Sequence, residues 1–141
     1  MKFKSLILIL AMAGGVAYAA ATDPDVLARQ HLMDANGAAM KTLGGMAKGD
    51  IAFDATAAEA AKQSLITNAA GIEAAWKVNA TDPDSHSKPE IWDNMADFVT
   101  KGNALGTAAA ALDTTSLDGV KAGLDGIGGA CGACHKAYKT S

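Results

Sequence analysis

Apolar residues recur every three or four positions along most of the chain beyond residue 23, and this spacing predicts α-helices rather than strands. The most regular stripe lies in the last segment and comprises Leu117, Val120, Leu124, Ile127, Cys131, Cys134 and Tyr138. A second stripe comprises Ile91, Met95, Phe98, Gly102, Leu105, Ala109 and Leu112. A shorter one comprises Leu65, Ala69, Ile72 and Trp76, and a looser one comprises Val26, Met33, Met40 and Leu43. The pattern predicts four helices, each with one face toward a shared core.

Local signals mark where these helices begin and end. Asp23 followed by Pro24 is typical of a helix start, and Gly49 after Lys48 is typical of a helix end. The run Asp82-Pro83-Asp84 interrupts the chain between the second and third helices. Capping boxes are predicted from Thr56 to Glu59, from Ser87 to Glu90 and from Thr115 to Asp118.

These boundaries place the helices at residues 23–48, 55–79, 88–112 and 116–139. Short connections between helices of similar length make neighbouring helices antiparallel. The sequence therefore predicts an all-α fold, an antiparallel up-down-up-down four-helix bundle.

The amino terminus has the organisation of a secretory signal peptide. Lys2 and Lys4 supply its positive charge, and residues 6–16 form an apolar run that is too short to act as a transmembrane anchor. A small-residue cleavage site ends at Ala19, and a second one ends at Ala21. We therefore predict an exported, periplasmic protein.

The predicted organisation is a cleaved leader over residues 1–19 and one domain over residues 20–141, with no membrane span in the mature chain. Loss of the two leader lysines changes the formal net charge from −3 to about −5. An acidic chain of this kind argues against a nucleic-acid partner.

The run Cys131-Gly132-Ala133-Cys134-His135 is the attachment signature of a c-type haem, C-x-x-C-H. Two thiols at this spacing can each form a thioether with one vinyl group of the same porphyrin. The histidine that follows can supply an axial nitrogen to the iron. These two cysteines are the only ones in the chain.

Other uses of the motif fit the sequence less well. A thioredoxin-like pair follows a strand, and no strand pattern precedes Cys131. A structural zinc site needs four ligands, and the other histidines, His31 and His86, are distant and unpaired. A simple disulfide between Cys131 and Cys134 would leave His135 without a role. A haem-free bundle would require the motif to be accidental.

Three segments in order resemble one known family. They are Arg29-Gln30-His31-Leu32-Met33, Lys88-Pro89-Glu90-Ile91-Trp92 and the closing run from Cys131 to Lys139. Together with the leader and the four helices, they resemble cytochrome c′ and its low-spin relatives over essentially the whole mature chain. The resemblance implies one covalent haem c, held by Cys131 and Cys134, with His135 as the proximal iron ligand.

The resemblance also gives roles to residues outside the haem motif. Arg29 and Gln30 match positions that approach a haem propionate, although residues at a helix end can also point to water. Ser87 and Lys88 match the loop beside the haem edge, although the capping box explains Ser87 equally well. Lys139 takes a basic position one turn after the proximal histidine, where it either pairs with a nearby group or is solvated.

Met33 matches the distal position that faces the iron. In the low-spin relatives a methionine there is the sixth ligand, whereas in high-spin cytochromes c′ the distal residue only shields the iron. The stretch from Leu32 to Gly37 looks more like the low-spin branch. His31 stands two positions earlier, about 200° around the helix, and is the weaker candidate.

The function predicted from these features is transport of single electrons between redox partner proteins. The alternative is binding or detoxification of a small gas, such as nitric oxide or carbon monoxide, at a five-coordinate iron. No further acid–base constellation is visible, so we predict no enzymatic activity. The resemblance also implies that homodimers form through the first two helices.

Overall fold

The computed structural model describes residues 21–140, and the leader predicted over residues 1–19 lies outside them. Five helices follow one another in the described part: α1 (Pro24–Lys48), α2 (Ala55–Ala75), α3 (Glu90–Asp93), α4 (Met95–Ala110) and α5 (Leu117–Tyr138). Helix α1 packs on α2, α2 on α4, α4 on α5 and α5 on α1. With the short α3 counted as an extension of α4, this is the predicted four-helix bundle.

Helix α1 begins and ends where its capping residues predict. The Asp23 carboxylate accepts hydrogen bonds from the backbone N–H groups of Asp25 and Val26, with Pro24 in the first turn. Gly49 ends the helix with φ of 80°, a left-handed conformation that glycine adopts without steric cost. Both predicted boundaries are confirmed.

Helix α2 ends at Ala75, four residues earlier than the predicted residue 79. Another helical turn would need the Ala75 carbonyl for the N–H of residue 79, and side chains from elsewhere bind this carbonyl and others that follow it. The Arg29 side chain donates to the carbonyl oxygens of Ala75 and Val78, and the Trp92 indole donates to that of Trp76. These donors come from elsewhere in the chain, which is why the local pattern did not predict the end of the helix.

The predicted third helix, residues 88–112, is two helices separated by Asn94. The backbone of Asn94 has φ of −130° and ψ of 41°, outside the helical region. Its backbone N–H donates to the carbonyl oxygen of Glu90 at 3.0 Å, and its side-chain amide donates to the same oxygen at 3.2 Å. The single helix predicted for this segment was therefore wrong at Asn94, and the two helices together cover residues 90–110 rather than 88–112.

The three predicted capping boxes are wrong in their capping residue. Asp54 caps α2 by accepting from the N–H of Ala57, and Ser116 caps α5 by accepting from the N–H of Gly119. Helix α3 has no side-chain cap, and the Ser87 hydroxyl accepts instead from the Trp76 indole. In α2 and α5 the true cap lies within two residues of the predicted one.

The apolar stripes form the core of the bundle. One cluster of buried residues lies among α1, α2, α4 and α5 and includes Leu43, Leu65, Leu105 and Ile127. A second cluster contains Ile72, Trp76, Ile91, Phe98 and Tyr138. Among the described residues, no helix has the length and apolarity needed to cross a bilayer.

The loop between α2 and α3 is tied to the start of the described chain by one carboxylate. Oδ2 of Asp82 accepts from the N–H groups of Thr22 and Asp23 at 2.8 and 3.0 Å, and from the Thr22 hydroxyl. Its Oδ1 accepts from the N–H of Asp84 at 2.9 Å. These donors lower the pKa of Asp82 to about 2, because they stabilise the charged carboxylate.

This carboxylate should make part of the stability of the protein dependent on pH. The pKa of Asp82 is lower in the folded than in the unfolded chain, where it is about 3.9. Its contribution should be complete above about pH 4 and lost as the pH falls toward 2. Asp82→Ala should therefore lower the melting temperature at pH 7, and the difference from wild type should shrink across that window. The exposed Asp125→Ala is the control, and an equal loss in both variants would contradict the assignment.

Candidate haem site

A cavity of about 480 Å³ lies inside the bundle, lined by side chains of α1, α2, α4 and α5 and by the loop before α3. Its volume is within the range of about 300–1,000 Å³ that is usual for small-molecule and cofactor sites. Apolar side chains cover most of the wall, among them Val26, Met40, Ile72, Phe98 and Leu105. Such a cavity suits a large, mostly apolar ligand.

The residues of the C-x-x-C-H motif lie together on the α5 wall of this cavity. Cys131, Cys134 and His135 all line it, because residues three and four apart in a helix lie on the same face. Both thiols are free and half-buried, and burial raises the pKa of each. The thiols therefore remain protonated at neutral pH, aligned along one helix face as the motif predicts.

The histidine of the motif stands at the same wall with an open side toward solvent. Desolvation against the wall lowers the pKa of His135, and the positive charge of Lys139 lowers it further. Both effects favour the neutral imidazole, which is the form that can ligate a metal. Lys139 also lines the cavity and is exposed. Its pairing with a nearby group remains a prediction.

Met33 lines the cavity from α1, a different helix from the one that carries the haem motif. Its side chain is half-buried, and its sulfur accepts a hydrogen bond from the Asn36 side-chain amide at 4.0 Å. His31 is exposed and lies outside the cavity wall. The bundle thus brings the thioether and the haem motif to one space, while His31 stays outside it.

Arg29, the only arginine of the chain, is 3% exposed and lines the cavity. Its guanidinium donates to three backbone carbonyl oxygens at and after the end of α2: Nε to Ala75 at 3.1 Å, Nη2 to Val78 at 2.5 Å and Nη1 to Ala80 at 3.2 Å. Burial lowers its pKa, and the nearby carboxylates of Asp25 and Asp23 oppose that effect. Arg29 therefore holds the chain segment that follows α2.

Two indoles enclose this guanidinium. Its central carbon lies 5.7 Å from the ring centroid of Trp76 and 5.1 Å from that of Trp92. Cation–π attraction at these distances adds to the hydrogen bonds. A guanidinium has five N–H donors, and the three carbonyl bonds leave one on each terminal nitrogen. The propionate contact predicted from the resemblance can use those two, and it remains a prediction.

Arg29→Leu should be strongly destabilising. It leaves the three carbonyl groups without their charged donor and separates the two indoles, which should lower the free energy of unfolding by about 2–4 kcal/mol. If a propionate lies beside Arg29, the reduction potential should also fall, because a nearby cation favours the reduced haem. Denaturant titration and a redox titration measure the two effects.

Two control variants separate these roles. Arg29→Lys keeps the charge but loses the planar fork, so it should preserve most of the potential and little of the stability. Lys121→Leu removes a positive charge from an exposed position and should change neither quantity. An unchanged potential and an unchanged unfolding free energy in Arg29→Leu would contradict both roles.

The other residues predicted for the haem edge lie in different places. Gln30 lines the cavity, and its amide donates to the carbonyl oxygen of Asp84 at 3.1 Å. Ser87 also lines it and accepts from the Trp76 indole at 2.9 Å. Lys88 lies outside the cavity wall, with its ammonium on the carbonyl oxygens of Lys136 and Ala137 in the last turn of α5. Contacts of all three with the haem remain predictions.

The loop before α3 is fastened directly to the end of α5. Ser87 and Lys139 form an antiparallel β-bridge. The N–H of Lys88 donates to the carbonyl of Tyr138 at 3.0 Å, and that of Thr140 donates to the carbonyl of His86 at 2.9 Å. This pairing fixes the rim of the cavity one turn beyond His135.

Sequence reasoning missed three charged or titratable residues of the wall, Asp34, His86 and Lys101. Lys101 pairs with Asp97 at 3.2 Å, and Asp97 accepts from the Tyr138 hydroxyl at 2.6 Å. That hydrogen bond raises the pKa of Tyr138 to about 12. The signal for Lys101 was its position three residues after Phe98, on the cavity face of α4. His86 had no such signal, because it lies in a loop.

The residues present fit a covalent haem. The two thiols and the imidazole lie on one helix face, and the rest of the lining is largely apolar. The side chains of Arg29, Gln30 and Lys101, which carry charged or polar donors, also line the cavity. An apolar macrocycle with two carboxylate arms needs this combination of surfaces.

Comparison with known proteins gives a consistent result. The family model for cytochrome c′ matches residues 25–139. The chain is 42% identical to a cytochrome c-556 of Agrobacterium tumefaciens (strain apple 185), over 79% of this chain and 91% of that protein.

Solved structures agree. A model of oxidised Rhodopseudomonas palustris cytochrome c556 superposes with a TM-score of 0.76 at 28% identity, covering 84% of this chain and 97% of that one. A nitric oxide complex of a cytochrome c′ variant from Alcaligenes xylosoxidans gives 0.73 at 27% identity, covering 83% and 94%. The chain therefore belongs to the cytochrome c′ family.

Proposed function

We propose that this protein is an exported c-type cytochrome that carries single electrons on one covalent haem, with His135 and Met33 as the two axial ligands. The observation that carries the proposal is that the C-x-x-C-H motif on α5 and the Met33 side chain on α1 line the same cavity. Membership of the cytochrome c′ family supports the haem.

The haem, when bound, supplies an iron that alternates between two oxidation states. The chain's own residues determine how much rearrangement this change requires. Cys131 and Cys134 anchor the ring to α5, and a neutral His135 imidazole provides the proximal nitrogen. The Met33 thioether closes the distal side, so that water and other ligands are excluded in both oxidation states. Ligation by methionine also raises the reduction potential, which suits a carrier.

A second candidate function is binding or detoxification of a small gas. One of the similar solved structures is described as a nitric oxide complex. In this chain the cavity lining as a whole is largely apolar, with Val26 and Met40 contributed by the same helix as Met33, and such a lining admits small uncharged molecules. This function requires Met33 to shield the iron without binding it.

Export to the periplasm, transfer of electrons to redox partner proteins and homodimer formation through α1 and α2 belong to the same proposal. The predicted leader supports export, and the family supports the remaining two. The proposal includes no catalytic reaction.

Visible spectra of the purified ferric and ferrous protein test the proposal. A low-spin spectrum in both states supports methionine ligation and electron transport. A high-spin spectrum that shifts on addition of carbon monoxide or nitric oxide contradicts it and supports gas binding.

A further inference from the structure

Asn36 is a buried polar side chain beside the candidate distal ligand. It is 7% exposed, lines the cavity and lies three residues after Met33 on the same face of α1. An amide in this position is costly to bury unless it is hydrogen-bonded. Both the nitrogen and the oxygen of the Asn36 amide therefore need a hydrogen-bond partner.

Both sides of this amide have a partner. Its nitrogen donates to the Met33 sulfur at 4.0 Å, and its oxygen accepts from the Asn68 amide at 3.1 Å. The Asn68 nitrogen also lies 3.4 Å from the Ser64 hydroxyl, so the chain of hydrogen bonds runs from α2 to the sulfur. Because a thioether sulfur can only accept, the Asn36 nitrogen faces Met33, which leaves the Asn36 oxygen to face the Asn68 nitrogen.

The consequence lies in the chemistry of a thioether. Its sulfur is a weak acceptor with two lone pairs, so one lone pair can take the amide hydrogen while the other faces the cavity. The donor also withdraws electron density from the sulfur and places the positive end of its dipole near the distal side. Both effects favour the reduced over the oxidised iron.

We propose that Asn36 is a positioning residue for Met33: its amide orients the thioether toward the haem and raises the reduction potential of the iron. This inference rests on the proposed ligation by Met33. Asn68 acts one step further away, by keeping the Asn36 amide in the orientation that donates to sulfur.

The test compares the wild-type holoprotein with Asn36→Leu, which removes the amide at similar size. Loss of a hydrogen bond of about 1 kcal/mol should weaken Met33 against a competing ligand, so the carbon monoxide affinity of the ferrous protein should rise about fivefold. The reduction potential should fall. Asn68→Leu lies outside the cavity wall and should shift both quantities in the same direction by less.

The same substitution in a Met33→Ala background distinguishes positioning from general destabilisation. There, Asn36→Leu should leave the carbon monoxide affinity unchanged, because no thioether competes with the gas. It should lower the potential by less than it does when Met33 is present, because only the dipole of the amide still acts. A fivefold rise in affinity or an undiminished fall in potential in that background would overturn the proposal. An unchanged potential and affinity in a low-spin Asn36→Leu protein would also overturn it and leave electron transport by a Met33-ligated haem intact.

A high-spin wild-type spectrum would instead show that Met33 does not bind the iron. Both the proposed ligation and this inference would then be wrong. These experiments therefore distinguish failure of the inference about Asn36 alone from failure of both this inference and the proposed ligation by Met33. If Asn36→Leu folds poorly, the carbon monoxide affinity and the reduction potential of Asn68→Leu, a variant outside the cavity wall, test the proposal instead.

Discussion

Replacement of both cysteines, Cys131→Ser with Cys134→Ser, should yield a protein with no covalently attached haem. Both thioethers need a thiol, and serine hydroxyls do not add to the haem vinyl groups under the same conditions. After export with the c-type maturation machinery, wild-type protein should retain haem stain on a denaturing gel and the double variant should not. The double variant should also melt at a lower temperature, because an apolar cavity of about 480 Å³ is left without its ligand.

Met33→Ala is the control for this experiment, since it alters the distal side and leaves both thiols in place. It should retain the stain at the wild-type level. Stain that persists in the cysteine variant, or a colourless wild-type protein that contains zinc, would contradict covalent attachment.

Met33→Ala should convert a low-spin protein to a high-spin one. Removal of the thioether leaves a vacant sixth position, so the affinity for carbon monoxide should rise by about tenfold or more, equivalent to at least about 1.4 kcal/mol of lost competition. The reduction potential should fall, because methionine ligation favours the reduced iron. Visible spectra, gas titration and redox titration measure the three effects.

Met40→Ala is the matched control. Met40 also lies on α1 and lines the cavity, one further methionine on the same wall. It should keep the low-spin spectrum. A wild type that is already high-spin, with faster gas binding in Met33→Ala, would support gas binding in place of electron transport. A Met33→Ala protein with an unchanged low-spin spectrum would contradict both functions and indicate another ligand.

The helices were predictable because their apolar spacing is a local property of the chain. The stripe from Ile91 to Leu112 is largely buried, and the stripe from Leu65 to Trp76 is buried throughout. The end of α2 was not predictable, because it depends on donors from Arg29 and Trp92. The break at Asn94 was missed because the helical spacing of apolar residues continues across it and its N–H still donates to the carbonyl oxygen of Glu90.

The candidate haem site likewise has a part that is local in the sequence and a part that depends on distant residues. The C-x-x-C-H motif is a continuous run on one helix face, so the sequence alone indicates both the cofactor and three of its contacts. Met33, Arg29 and Gln30 are distant from it in sequence and were assigned through resemblance to a family. The structure places all three on the cavity wall.

By itself, the sequence determined the helical class, the covalent haem motif and the caps of α1, because each depends on residues within one or two turns of one another. Only the tertiary structure decided that Arg29 holds three carbonyl groups at and after the end of α2, and that Asn68 of α2 holds the amide of Asn36 on α1. These contacts join residues of different helices and a loop. Their energies depend on burial and on the approach of two backbones, which no local pattern records.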